Sequence, residues 1–552
     1  MFNVRPQGSR HLNSPSVPSQ WHQQHLFKAD QIVRPISISS GLGYQNARHE
    51  VCKRVPSFAP EFQLPTRLID IQTDTLRLVL SVDLEDPNNC RYVALSHCWG
   101  DPRKTQVPKT FGATLERHQK EGITELTKTF EDAVKVTREI DVRYLWIDSL
   151  CIIQDEPEDF KKECSKMSLI YARAYCVLSA LDAEDGSRGL FIPRNPSPQP
   201  SQISLDHEQW NSMLQGPLST RGWAFQEHQL ALRIIHFTAI RILWECRCCV
   251  AGEDFPSQRH RAFVGGTADD PFYLHSDIHT TWRLFDGKHE RHAKIIEGVR
   301  YGSRRTNRRR NDVYTRWLRA AELYSSRNLT YEIDKLPAVS GLAAAVAAVV
   351  PKDVYLAGIW KNDLIRGLLW IPALSGTGVN LDRISSIPSW SWASHYGSVK
   401  FLALADATQF FPPFLVRREA SILFDELDNS LGDGDSAEIN SETTTSAEYP
   451  FGEVKGGSLQ ITAPMKECDI GHDHGGLKFR NLDTGLAEFD VILDDPSARV
   501  LSRVICAILV QEWYAFGLIL KKSNSGAFQR LGVFILTRDG VRDFIMNTVT
   551  VE

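Results

Sequence analysis

The chain has 552 residues, of which 42% are hydrophobic, 10% aromatic and 24% charged, a balance that excludes wholesale disorder, collagen-like repeats and coiled-coil composition. Its length corresponds to about three or four domains, and 63 Lys and Arg against 67 Asp and Glu leave a net charge of −4, so nucleic acid is not an expected partner. The 11 cysteines, odd in number and thinly spread, read as reduced thiols rather than a disulfide framework.

Residues 1–60 are rich in Pro, Ser, Gln and His without sustained periodicity, and are read as a mobile arm with no signal-peptide core. A first domain is expected over residues 61–250. The apolar run Tyr92-Val-Ala-Leu95 stops at Ser96-His97-Cys98-Trp99-Gly100, which predicts a buried strand and its C-terminal loop. Residues 129–140 follow as an amphipathic helix, with Phe130, Ala133, Val134, Thr137 and Ile140 on one face and Thr129 and Asp132 resembling a capping box. Residues 144–147 predict a second strand ended by Asp148-Ser149, and residues 150–153 continue it to Gln154-Asp155. Residues 158–172 predict a helix with Pro157 in the first turn, a Glu158–Lys162 pair, and Phe160, Cys164, Met167 and Tyr171 along one side. Residues 175–179 are the third strand. This alternation implies an α/β domain, a mainly parallel sheet with flanking helices. Arg221 to Glu227 reads as a turn opening a short helix, and residues 232–237 and 240–244 as a strand pair closing the domain.

Residues 251–312 are polar and end in an Arg-rich run at 304–310, read as an insertion or linker with a solvated basic loop. Residues 313–552 predict a mixed α+β, β-rich C-terminal region. Its helical pattern lies over 313–350; Trp390 and Trp392 alternate as on one strand face; residues 425–449 form an acidic, disordered loop. The small-apolar run at 342–350 is closed by Pro351 and is too short to span a membrane. No membrane span is expected, and the cytoplasm is the expected location.

Loops at the carboxyl ends of parallel strands open into a common crevice. Here the first strand presents Ser96, His97 and Cys98, and the second presents Asp148, Ser149 and Cys151, with Gln154 and Asp155 just beyond. One reading is a Cys-His nucleophilic pair, which needs an activated thiolate; its counterpart is cysteines buried as core. Another makes Asp148 or Asp155 a carboxylate that grips ribose hydroxyls or stabilises a developing cation at a sugar carbon, against an Asp that merely braces a tight turn. Cys246-Arg-Cys248-Cys249 lacks a second spaced ligand pair, so no metal is expected. The sequence has no GxxxxGK[ST], GxSxG or HExxH. Trp99, Trp146 and Trp223 are expected as packing anchors.

Three ordered blocks, Arg91-Tyr92-Val-Ala-Leu-Ser96-His97-Cys98-Trp99-Gly100, Tyr144-Leu-Trp146-Ile-Asp148-Ser149-Leu-Cys151-Ile-Ile-Gln154-Asp155 and Arg221-Gly222-Trp223-Ala-Phe-Gln226-Glu227, closely resemble the fungal heterokaryon-incompatibility domain. The resemblance departs at His97, where many members have Tyr. It implies a signalling role in non-self recognition between hyphae, with the α/β domain triggering programmed cell death through protein partners or self-association. That domain is in turn distantly similar to Toll/interleukin-1 receptor-like domains, some of which cleave NAD with a helix-borne glutamate. Glu163, on the helix between the second and third strands, and Glu227, in the third block, are the helix-borne candidates, and the match selects neither. The catalytic candidates are thus Asp148, Glu163, Glu227, His97 and Cys151. No cofactor is expected, NAD entering as a possible substrate of an NAD glycohydrolase; a non-catalytic scaffold is the further alternative.

Overall fold

The computed structural model describes residues 64–193, 214–246, 250–252, 313–373, 383–404, 437–445, 450–473, 476–480, 487–494, 501–511, 514–537 and 544–552. The expected N-terminal arm, nearly all of the expected linker and residues 425–436 lie outside the described residues.

The first half is built on an eight-stranded sheet: β1 (Arg67–Asp70), β2 (Arg77–Leu80), β3 (Tyr92–Ser96), β4 (Tyr144–Trp146), β5 (Cys176–Ser179), β6 (Arg233–Phe237), β7 (Ile242–Cys246) and β8 (Val250–Gly252). Its spatial order is β2-β1-β4-β3-β5-β6-β7-β8. The central strands β4, β3, β5 and β6 are parallel, Val93 standing opposite Leu145 on one side and Cys176 on the other. The outer strands are antiparallel, so the sheet is mixed, with a parallel centre. Parallel neighbours require crossovers. These are α1 (Gly112–Lys120) and α2 (Lys128–Glu139) from β3 to β4, then the single turn α3 (Asp148–Cys151) and α4 (Pro157–Arg173) from β4 to β5, while α5 (Ala224–Leu230) precedes β6. Counted among parallel strands alone the order is 2-1-3-4, the doubly wound order whose switch point lies between the first and third strands, here β3 and β5.

Several local expectations are corrected. Thr127, not Thr129, caps α2, its Oγ1 accepting from the Phe130 amide at 3.3 Å, while Asp132 turns inward to accept from the Leu190 amide at 3.1 Å. Residues 148–151 form a helical turn rather than a strand, closed by the Cys151 amide donating to the Ile147 carbonyl at 2.8 Å. On α4 Met167 and Tyr171 are buried but Phe160 is exposed, and Glu158 lies near Lys161 rather than pairing with Lys162.

The second half comprises α6 (Val313–Ser325), α7 (Ser340–Val349), α8 (Leu364–Leu368), the strand pairs β9 (Tyr355–Leu356) with β10 (Ile359–Trp360) and β11 (Trp370–Pro372) with β12 (Val399–Phe401), and an almost wholly antiparallel sheet. That sheet contains β13 (Glu438–Thr445), β14 (Val454–Asp473), β15 (Gly476–Arg480), β16 (Ala487–Leu493), β17 (Leu501–Gln511), β18 (Tyr514–Lys522), β19 (Phe528–Thr537) and β20 (Ile545–Val551). Part of the acidic stretch expected to be disordered is therefore the strand β13. Its backbone pairs with β14 from Glu438 to Thr445, and an edge position tolerates its polar side chains. Trp390 and Trp392 are buried, as core residues should be, but Trp390 precedes and Trp392 opens a turn rather than lining a strand, because the Ser391 hydroxyl caps the 3₁₀ turn Trp392–Ser394 by accepting from Ala393 at 3.0 Å.

One hydrophobic core lies around β1–β7 with α2 and α4; a second joins α6, α7 and the C-terminal sheet. Phe225 and Leu230 of α5 belong to the second core, although α5 leads into β6 of the first.

Candidate functional site

The three blocks converge at the carboxyl edge of the central strands. Side chains alternate along a strand, so Tyr92 and Ser96 face α4 and α5. Tyr92 donates to the Ile170 carbonyl at 2.7 Å, and the Ser96 hydroxyl donates to Glu227. His97 faces the other way and meets Phe130 of α2 edge-on at 5.1 Å. On β4 Trp146 packs edge-on against Tyr171 at 5.5 Å. Two residues later the Asp148 carboxylate accepts from Trp99 Nε1 at 3.0 Å and the Ser149 amide at 2.7 Å, and lies 3.8 Å from His97 Nδ1. Gln154 fixes this turn by donating to the carbonyls of Asp148 and Ile152 at 3.1 and 3.0 Å. The third block closes the cluster: the Arg221 guanidinium donates to the His97 carbonyl, and Glu227 accepts from Ser96, while the Tyr171 hydroxyl donates to the Leu95 carbonyl at 3.1 Å.

Burial decides the electrostatics. It pushes the Glu227 carboxyl up to about 7 against the opposing pull of Arg221 and Ser96, so this group is divided between its acid and its anion at neutral pH. It pulls His97 down to about 4, with Asp148 opposing; the ring is neutral, and neither nitrogen has a hydrogen-bond partner. It raises Cys98 to about 11 and Cys151 to about 12. A thiol that holds its proton this firmly is a poor nucleophile, which removes the physical basis of the Cys-His reading. Asp148 is partly open, its side chain 15% exposed, and the Lys109 ammonium stands 4.5 Å over the Trp99 ring beside it. A buried acid beside a partly exposed carboxylate can divide proton donation and cation stabilisation between two groups.

Other predicted residues sit elsewhere or serve the frame. Glu163 is fully buried but is tied to Thr66 ahead of β1, accepting from its amide at 3.3 Å, with Lys166 at 3.5 Å. Asp155 is exposed and accepts from the Gly112 amide at the start of α1 at 2.8 Å. Ser149 and Cys151 are buried core, the Cys151 carbonyl receiving Arg67 at 2.9 Å. Gly100 has φ +78°, and a Cβ there would stand 2.5 Å from Asp185 Cβ. Gly222, Trp223 and Gln226 face the downstream half: the Gly222 amide donates to the Asn328 carbonyl at 2.7 Å, Trp223 Nε1 to Asp334 at 3.2 Å, and Gln226 accepts from the Gly341 amide at 3.3 Å. Tyr171 and Lys109 were not singled out as site residues by the sequence; the helical period of α4 marked Tyr171 only as core. A cavity of about 780 Å³ opens at the amino ends of β3 and β4, lined by Asp70, Arg91, Arg143 and Tyr144 among others; Arg91 and Tyr144 open the first two blocks, and none of the five catalytic candidates lines it.

Fold and cluster together define a doubly wound α/β domain with a polar cluster at its switch point. Residues 92–227 match the family described as Heterokaryon incompatibility protein (HET), so the chain carries a HET domain, from the start of β3 into α5 and holding the three blocks from Tyr92 onward. This ties the protein to heterokaryon incompatibility. No curated protein matches the chain, and no solved structure does. Among the described residues no helix is long and apolar enough to cross a membrane.

Proposed function

We propose that the protein signals in fungal non-self recognition, its HET domain triggering programmed cell death through protein partners or self-association in the cytoplasm, and its downstream half controlling that output. The observation that carries this reading is the double attachment of α5. Its Glu227 bonds Ser96 in the polar cluster, while Gln226 and Trp223 bond Gly341 and Asp334 of the second half. A partner that shifts the second half therefore has a mechanical route to the switch point. The test is induced expression of the full chain in a fungal host. Growth arrest with loss of viability is expected, and unchanged growth at confirmed protein levels rejects the proposal.

A second reading, NAD cleavage, is favoured by one feature: the buried Glu227, its carboxyl raised to about 7, interacts electrostatically with the partly exposed Asp148 at the carboxyl edge of the central strands. In that case water replaces nicotinamide at the ribose carbon, and cellular NAD falls before viability does. Death with NAD intact supports recruitment of another executioner instead.

A further inference from the structure

On the face of α5 away from the second core, three metal-ligating side chains come together. In the β6–β7 hairpin His236 pairs with Leu243, so Glu245, two residues further along β7, shares the face of His236. His228 reaches the same point from α5. His228 Nε2 and His236 Nε2 each lie 3.1 Å from one and the same oxygen, Glu245 Oε2. The two rings meet edge-on at 5.4 Å, and the ligand atoms of the three residues lie within 4.8 Å of one another. His236 and Glu245 are 3% and 1% exposed and His228 is 19% exposed.

We propose that His228, His236 and Glu245 form a binding site for one divalent transition-metal ion, zinc by the character of the donor set. Two imidazoles and a carboxylate supply three of the four ligands of tetrahedral zinc and leave one position open. Bonds of about 2.0–2.2 Å place tetrahedral ligand atoms about 3.3–3.6 Å apart, so the two His–Glu separations of 3.1 Å open by a few tenths of an ångström, and a separation as wide as 4.8 Å closes by about an ångström, to admit the ion. Burial disfavours the imidazolium of His236, leaving a neutral ring able to coordinate. Its Nδ1 has no hydrogen-bond partner, so without an ion the Glu245 carboxylate holds the proton on Nε2, and coordination through Nε2 requires that proton to move to Nδ1. The same lack of a supporting acceptor weakens binding relative to a site with a complete outer shell, by about 10–100-fold. The competing use of these residues is a brace in which both imidazoles donate N–H bonds to Glu245. The brace needs a proton on each Nε2, and the metal site needs neither. An ion here fastens α5, with Gln226 and Glu227, to the β6–β7 hairpin.

The full chain, stripped by chelator, is titrated with Co²⁺ and the visible spectrum recorded, followed by displacement with Zn²⁺. One Co²⁺ per chain with tetrahedral d–d bands, and a Tm raised by Zn²⁺, are expected. His228→Ala, at a partly exposed position, lowers Co²⁺ affinity at least tenfold. Glu245→Gln, which keeps the shape and an acceptor for a brace, abolishes binding in protein shown to be folded by far-UV circular dichroism. The proposal is overturned by a folded wild-type chain that takes up no stoichiometric ion, or by affinity unchanged in both variants.

Discussion

Replacing Glu227 with Gln isolates the consequence of burying an ionisable group at the switch point. The side chain is 4% exposed and its carboxyl is raised from 4.5 to about 7. Below pH ~4.5 the group is neutral in both folded and unfolded chains and imposes no charge penalty. Between that pH and about 7 the unfolded chain releases the proton while the folded chain retains it, so stability present at low pH is lost as pH rises through the folded value. At about 1.4 kcal/mol per unit the loss reaches about 3 kcal/mol, or roughly 6–12 °C in Tm for a domain of this size. Glutamine keeps the shape and still accepts from Ser96, but it never ionises. Thermal unfolding of full-length wild type and Glu227→Gln is therefore compared at pH 5 and pH 8, where other titrating groups cancel in the difference. The variant should gain on the wild type as pH rises. A gap that stays constant, or that opens in the wild type's favour, refutes the reasoning.

Three further outcomes follow from the same geometry. Gly222→Ala drives a Cβ into Leu329 where the halves join, and overpacking of this kind costs about 1–3 kcal/mol, seen as a lower Tm and earlier proteolysis near residue 328. Trp223→Phe keeps an aromatic ring but removes the pyrrole part of the indole with its Nε1 bond to Asp334; a loss of at least about 1 kcal/mol is expected from the bond and the lost packing together, and an unchanged Tm would show that the bond contributes nothing. Cys98 and Cys151, buried and raised to about 11 and 12, should resist iodoacetamide at pH 8 in the native chain and react on unfolding. Native-state labelling of either, mapped by mass spectrometry, would restore the thiol chemistry that burial argues against.

The first domain was legible where apolar runs end abruptly in polar clusters. Tyr92–Ser96 and Tyr144–Trp146 announce themselves in that way, and parallel topology then brings Ser96, His97 and Asp148 to one edge. The outer antiparallel strands β1 and β2 were not visible, being four residues each and beginning with Arg67 and Arg77. Leu150 to Ile153 has strand composition, yet the chain turns there because Gln154 and the Ile147 carbonyl hold the loop. The role of the third block was hidden for a different reason: its partners Asn328, Asp334 and Gly341 lie more than a hundred residues downstream, and only tertiary packing joins them. The same holds for the His228, His236 and Glu245 cluster, assembled from a helix and two strands. Glu163 and Glu227 are equally good helix-borne acids in sequence. Burial beside Ser96 and Tyr171 in one case, and bonding to Thr66 in the other, tells them apart.

The central claim is that the polar cluster at the carboxyl edge, rather than the bare fold, produces the incompatibility response. Its most direct test is induced expression of the full chain as wild type and as Asp148→Asn, a near-isosteric change that removes one charge, at matched protein level and matched Tm, with colony growth as the readout. Growth arrest by the wild type and normal growth with the folded variant is the predicted result. Equal arrest by both proteins would contradict the claim and leave Asp148 as a brace for Trp99 and the turn at Ser149.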